Sequence, residues 1–200
     1  MDEIVKAALA KWPDVPHCFG WLALDARGNW RMRDERAQAL KLPGDKIRNA
    51  TLLGFINRNY QHDEQGRWYF QNGPQRVYVD LEAAPYIAHT SPEAGFVLHT
   101  GAVLADIDAV FLSGEGKMLL RAGEILAQLD DRDLANCLND LQINGEPASD
   151  EALTRWLESD DYHQALCIKL APSQRIMEIR HGELSTLMTT CAYVSIPENA

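Results

Sequence analysis

Residues 73–81 read GPQRVYVDL, and residues 171–179 read APSQRIMEI. Each stretch sets a proline just ahead of a Gln-Arg pair and follows it with branched residues in alternation, Val77 and Val79 in one, Ile176 in the other. Proline presets φ and lacks an amide donor, so it suits the turn that opens a strand. Alternation of period two marks a strand with one buried face. Each stretch therefore reads as a turn followed by a strand, and 99 residues separate Arg76 from Arg175.

Outward from residue 73, RWYFQNGPQRVYVDLE forms two strands about Asn72-Gly73, a dipeptide suited to tight hairpins. Upstream, NATLLGFINRNY predicts a helix over 49–60, capped by Asn49, with Leu52, Leu53, Ile56 and Tyr60 on one face. Before it, FGWLALDARGNWRMR reads as a hairpin about Asp25–Gly28, and 34–46 as a loop. In the second stretch, LQIN leads to a helix over 149–158, capped by Ser149, with Leu153, Trp156 and Leu157 inward. ALCIKL, the turn APS and the second Gln-Arg strand follow, then a turn at His181-Gly182. Between lie a hairpin about Gly114–Gly116 and a helical segment from Asp130 to Asn139.

The order strand, helix, hairpin thus occurs twice. The expected fold is α+β, mostly antiparallel, built from two related motifs: an N-terminal half over 1–90 and a C-terminal half over 91–200, forming one compact unit or two. With 46% hydrophobic residues, the chain can bury a substantial core.

The 19 basic residues stand against 29 acidic ones, for a net charge of −10. That balance argues against nucleic acid, which demands concentrated Lys and Arg. No apolar run of 18 residues exists, so no membrane span is expected, and MDEIVKAALAKW reads as a short amphipathic helix rather than a secretory signal. Cys18, Cys137, Cys167 and Cys191 form no CxxC pair and are expected as reduced thiols in the cytoplasm.

The run from Gly28 to Ile87 resembles bacterial domain-of-unknown-function families found in proteobacteria. The likeness is carried by Gly28-x-Trp30, the helix Leu52–Ile56, Gly66-x-Trp68 and the turn Glu82-x-Ala84-Pro85-Tyr86. The resemblance implies a fold of repeated α+β motifs and a role in signal transduction, and it supplies no catalytic residue. The chain departs from the pattern in its insertion at 34–46, and INGEPASDEAL at 143–153 matches one further element better than the segment after Trp30 does.

Chemical signatures are sparse. Six histidines (His17, His62, His89, His99, His163 and His181) and the four cysteines show neither HExxH nor paired CxxC spacing, so no metal is expected. His62-Asp63-Glu64 reads as a solvated turn, and His163 with Cys167 as an i,i+4 coincidence. Asp106 and Asp108 fall on one face of a presumed strand, which their alternation with apolar residues explains. No GxSxG or phosphate-binding loop is present, and His17-Cys18 are mere sequence neighbours. No cofactor or catalytic residue is assigned.

The aromatics say more. Trp68, Tyr69 and Phe70 run consecutively, so Trp68 and Phe70 share one face and Tyr69 takes the other. With Trp21, Trp30, Tyr78 and Tyr86, they suggest an apolar groove on the first half, edged by Arg67 and Arg76. Arg67, Tyr69, Arg76, Tyr78 and Tyr86 are the candidate ligand-binding residues, with Tyr69 partly exposed. Arg76 and Arg175 are expected to lay their stems over the sheet and find Asp80 and Glu178. The reading is a non-enzymatic module that binds a small molecule or a protein. An enzyme with a site between the halves and a structural subunit of a homo-oligomer are the alternatives.

Overall fold

The computed structural model describes residues 1–158 and 165–198. His163, and with it the His163–Cys167 pair, lies outside the described residues, as does the side chain of Leu157. Contacts divide the chain into two compact units: Met1–Pro85 with the chain from Met188 onward, and Tyr86–Leu187.

The first unit opens with α1 (Glu3–Lys11), whose Val5 is buried, followed by β1 (Cys18–Leu24), β2 (Trp30–Met32), α2 (Glu35–Ala39) and β3 (Asp45–Lys46). Then come α3 (Ala50–Arg58), β4 (Tyr60–His62), β5 (Trp68–Asn72) and β6 (Gln75–Leu81). Asn49 caps α3 by accepting the Leu52 amide at 2.9 Å. The six strands form one sheet in the order β3-β2-β1-β6-β5-β4, antiparallel except where β1 lies parallel to β6. Its core face carries Leu22 beside Val79, Leu24 beside Leu81 and Trp30, and Phe70 beside Tyr60. Ile56 of α3 is buried with these residues. Trp30 meets Tyr60 edge-on at 5.0 Å and donates its indole N–H to Asn57 at 2.7 Å. Tyr60 in turn donates its hydroxyl to the Pro85 carbonyl. Each large ring thus satisfies its polar atom while burying its body.

The second unit comprises β7 (Tyr86–Ser91), β8 (Gly95–Leu98), β9 (Ala109–Leu112), β10 (Met118–Ala122) and β11 (Ile125–Leu129). A 3-10 turn (Asp131–Asp133) runs into α4 (Leu134–Leu138), followed by β12 (Leu141–Ile143), β13 (Glu146–Pro147) and α5 (Asp150–Glu158). β14 (Leu166–Leu170), β15 (Arg175–His181) and α6 (Leu184–Thr190) follow, α6 running past the end of this unit at Leu187. The sheet runs β13-β12-β14-β15-β9-β10-β11-β7-β8. One face holds the large core of Val110, Leu112, Leu120, Ile168, Ile179 and Trp156. The other buries Ala109, Phe111 and Leu119 beneath Leu184 and Leu187 of α6. Burial on both faces explains the continuous apolar runs AVFL and MLL.

The fold is α+β, and ten of the thirteen strand pairings among the described residues are antiparallel. The order β3-β2-β1-β6-β5-β4 recurs in the second sheet as β11-β10-β9-β15-β14-β12. The one parallel contact falls at the same place, β1 with β6 and β9 with β15. Registers agree as well: Leu24 faces Trp30 as Leu112 faces Met118, and Phe70 faces Val77 as Ile168 faces Met177. On this match β6 answers to β15, as the Gln-Arg pairs suggest, but α3 answers to the turn and α4. The pair β13 and α5 then lies between strands that correspond to β4 and β5, where the first unit has only a turn.

Other expectations are corrected. Residues 34–46 are not a bare loop: Asp34 caps α2 through the Ala37 amide, and β3 follows. Helix α3 stops at Arg58, and Tyr60 begins a strand instead of closing the helical face. Segment 184–190, not assigned from sequence, is helical. Asp106 has φ +52° outside any strand, while Asp108 bonds Arg121 and the Gly123 amide, so the two share no strand face.

Trp68 is 3% exposed, at the centre of the ring cluster of Tyr60, His62 and Tyr193. Trp68→Ala is expected to cost about 3–5 kcal/mol through lost burial and the cavity left behind. Chemical denaturation measures this, and an unchanged midpoint would contradict the packing.

Candidate functional site

The face of the first sheet opposite its core carries polar and aromatic side chains. β5 and β6 place Tyr69 directly across from Tyr78, with ring centroids 5.7 Å apart. Between Cys18 and Leu22, three residues of β1 lie opposite one of β6, a bulge that contains Gly20 at φ +78°. This irregular stretch brings Phe19 flat against the Tyr78 ring, with centroids 4.5 Å apart and planes 7° from parallel. His17, just before it, meets the same ring edge-on at 5.7 Å.

Two arginines close over the tyrosines. The Arg76 guanidinium lies 4.7 Å from the Tyr69 centroid, and that of Arg67 lies 4.8 Å from the Tyr78 centroid. Both distances suit cation–π attraction. Tyr78 is fully buried and Tyr69 only 5% exposed, so the expected open apolar groove and the partial exposure of Tyr69 are not found. The two guanidinium groups and Phe19 cover rings that a groove would have offered.

The two cations differ. Arg67 donates from Nε to Asp63 at 2.9 Å and pairs with the same carboxylate through its terminal nitrogen at 2.8 Å. Tyr78 donates its hydroxyl to Asp63 as well. Burial pushes the Asp63 carboxyl up, but bonds from Arg67, Tyr78 and the Gln65 amide outweigh it and hold the group below its ordinary value. Arg76 has no such partner: among the described residues no carboxylate pairs with it. Asp80, expected to serve it, pairs instead with Arg33. Arg175 likewise finds the Ile107 carbonyl, at 2.6 Å, rather than Glu178. The His17 imidazole is held below its usual pKa, chiefly by burial and then by the charges of Arg76 and Arg67. This face therefore has a positive local field within a chain of net charge −10.

Four of the five candidate residues, Arg67, Tyr69, Arg76 and Tyr78, come together here. Tyr86 does not join them; it starts the second unit, half-buried, its ring 5.8 Å from that of His99. Sequence reading missed His17 and Phe19, because the bulge that aims them has no local signature. It also missed a trio in the second unit: His89 Nδ1 and carboxylate oxygens of Asp130 and Asp133 lie within 4.8 Å of one another, a set of metal-ligand type. Here His89 contacts Asp133 at 3.1 Å and Asp130 at 3.5 Å, while Arg132 pairs with Asp130. The four free cysteines lie elsewhere and form no cluster among the described residues.

A family model described as "Protein of unknown function (DUF2946)" matches residues 1–198. Among curated proteins nothing matches. The chain is similar to the crystal structure of a DUF1285 family protein from Silicibacter pomeroyi DSS-3, at 12% identity and a TM-score of 0.47, over 94% of this chain and 98% of that one. It is also similar to a DUF1285 family protein from Shewanella baltica OS155, at 14% identity and a TM-score of 0.39, over 58% and 88% of the two chains. No helix among the described residues is long and apolar enough to cross a membrane.

Asp63 sets a test of this geometry. A carboxyl held below its ordinary value stabilises the fold above about pH 4, and that contribution is lost as pH falls through the lower folded-state value. Asp63→Asn removes the titrating group while keeping an acceptor for the turn. Urea unfolding at pH 6 and pH 3 should show a smaller acid-induced loss in the variant than in the wild type. Equal losses would show that Asp63 is not held by these bonds.

Proposed function

The chain belongs to the DUF2946 family, a family of unknown function, and on that premise we propose that it is a non-catalytic module that binds a small molecule bearing a carboxylate or phosphate, with Arg76 as the anchor. One observation carries the reading: Arg76 is a cation stacked on Tyr69 with no carboxylate partner among the described residues. Protein arginines of fixed geometry are commonly matched by an acid, and a planar guanidinium forks naturally onto carboxylate or phosphate oxygens. Arg67, locked by Asp63, acts as a wall that adds positive field rather than as a second anchor. Tyr69 and Tyr78 are a rigid floor beneath the two guanidinium groups. A rigid floor favours binding, because little side-chain freedom remains to be lost.

Further features support the rest of the reading. The shared strand order supports descent of both units from one duplicated motif. Four cysteines without a disulfide support a reducing, cytoplasmic setting. The net charge of −10 would repel polyanions in bulk, so the favoured ligand is compact enough to sense mainly the local field of Arg76 and Arg67.

Calorimetric titration with phosphate and with citrate tests the anchor. At least one of the two should bind, and Arg76→Gln should weaken that binding tenfold or more at 0.05 M salt. Loss of half the effect at 0.5 M salt is expected, since screening acts on exposed charge. Equal affinity in the wild type and Arg76→Gln, or no binding of either anion, would reject this function.

A further inference from the structure

Within the second unit, a cavity of about 540 Å³ is bordered by β7 and β8, by the 3-10 turn with α4, and by β14. That volume lies in the usual range for small-molecule sites. Its lining joins three kinds of surface. Phe96, Cys137 and Ile168 are buried apolar residues. Asp133 and Asp140 come from the α4 side, and Lys169 comes from β14.

The charges on this lining are only partly matched internally. Asp130, next to the cavity and fully buried, has its own cation in Arg132. At Asp133, one oxygen accepts from the Thr90 hydroxyl at 3.1 Å and the Asn136 amide at 3.3 Å, and the other faces His89. No lysine or arginine pairs with Asp133 or Asp140 among the described residues. Lys169, the one cation on the lining, likewise has no carboxylate within ion-pair distance among them. The Cys137 thiol at the cavity wall is pushed up to about 12, chiefly by burial and then by the charges of Asp140 and Asp133.

We propose that this cavity binds a free apolar amino acid, with its ammonium group on Asp133 and Asp140, its carboxylate on Lys169 and its side chain against Phe96 and Ile168. A cationic ligand alone would leave Lys169 facing like charge. An anionic ligand alone would be repelled by the two aspartates. A compact zwitterion meets both, and an ammonium can join His89 on Asp133 while Thr90 and Asn136 keep its carboxylate oriented. Desolvating both charged ends of such a ligand is tolerable only where each finds an opposite charge. The binding is separate from the anion site on the first unit and does not depend on it.

Calorimetry on the full chain distinguishes the outcomes with three probes of one shape: L-phenylalanine, 2-phenylethylamine and 3-phenylpropanoate. L-Phenylalanine, or L-leucine in its place, should bind, and each single-charge analogue should bind at least tenfold more weakly. Asp133→Asn and Lys169→Met should each lose tenfold or more, whereas Arg76→Gln should leave the affinity unchanged. Asp140→Asn serves as a second probe of the acidic wall should Asp133→Asn unfold. The proposal is overturned if neither amino acid binds at millimolar concentration, if either analogue binds as tightly as the zwitterion, or if the wall variants keep wild-type affinity.

Discussion

In each unit the fold depends on a parallel seam between strands far apart in sequence, β1 with β6 and β9 with β15. Parallel neighbours cannot be joined by a tight turn, so the chain must travel away and return. In each unit the intervening segment holds a second strand that pairs back on the first, a third beside it, a helix, and the strands that lead to the seam. In the first unit the seam sets Leu22 and Leu24 against Val79 and Leu81, all buried, and these form the middle of the core. At about 25 cal/mol per Å² of apolar surface, such central burial outweighs anything the solvent-facing ion pairs contribute.

The same seam makes the candidate anion site. It is at the β1–β6 contact that the bulge occurs, and the bulge brings Phe19 and His17 to Tyr78. A regular β1 would alternate through residues 18–22 and hold a different set of side chains over the tyrosines. The surrounding ion pairs then decide which cation is available. Asp63 holds Arg67 and Asp80 holds Arg33, so Arg76 is left stacked on a ring with no carboxylate paired to it among the described residues. An acidic chain can thus present a locally positive face, because placement decides the local field while composition decides only the total.

Much of this architecture could be read locally. Asp25–Gly28, Asn72-Gly73 and Gly114–Gly116 each mark a hairpin that forms where expected. Asn49 and Ser149 cap the helices they precede. The alternation of Trp68, Tyr69 and Phe70 assigns their faces correctly. Three of the elements that were missed are short: α2 has five residues, and β4 and β3 have three and two. Elements this short gain little from their own periodicity and are held by neighbours, as Gln38 of α2 is by the Arg33 carbonyl. Tyr60 fits the helical face of α3 in sequence, yet its ring fits better over Trp30 and Trp68 from a strand.

The α+β class, the hairpins, the starts of α3 and α5 and the inward side of strands such as β5 and β6 are legible in the residues alone. These follow from turn chemistry and from side-chain period, which act within a few residues. The tertiary structure alone decided that β1 lies along β6, that Tyr69 and Tyr78 are covered rather than open, and that Arg33 instead of Arg76 takes Asp80. Those outcomes depend on contacts between residues tens of positions apart. Several arginines could have reached the same carboxylate, and only the packed arrangement of the strands selects one.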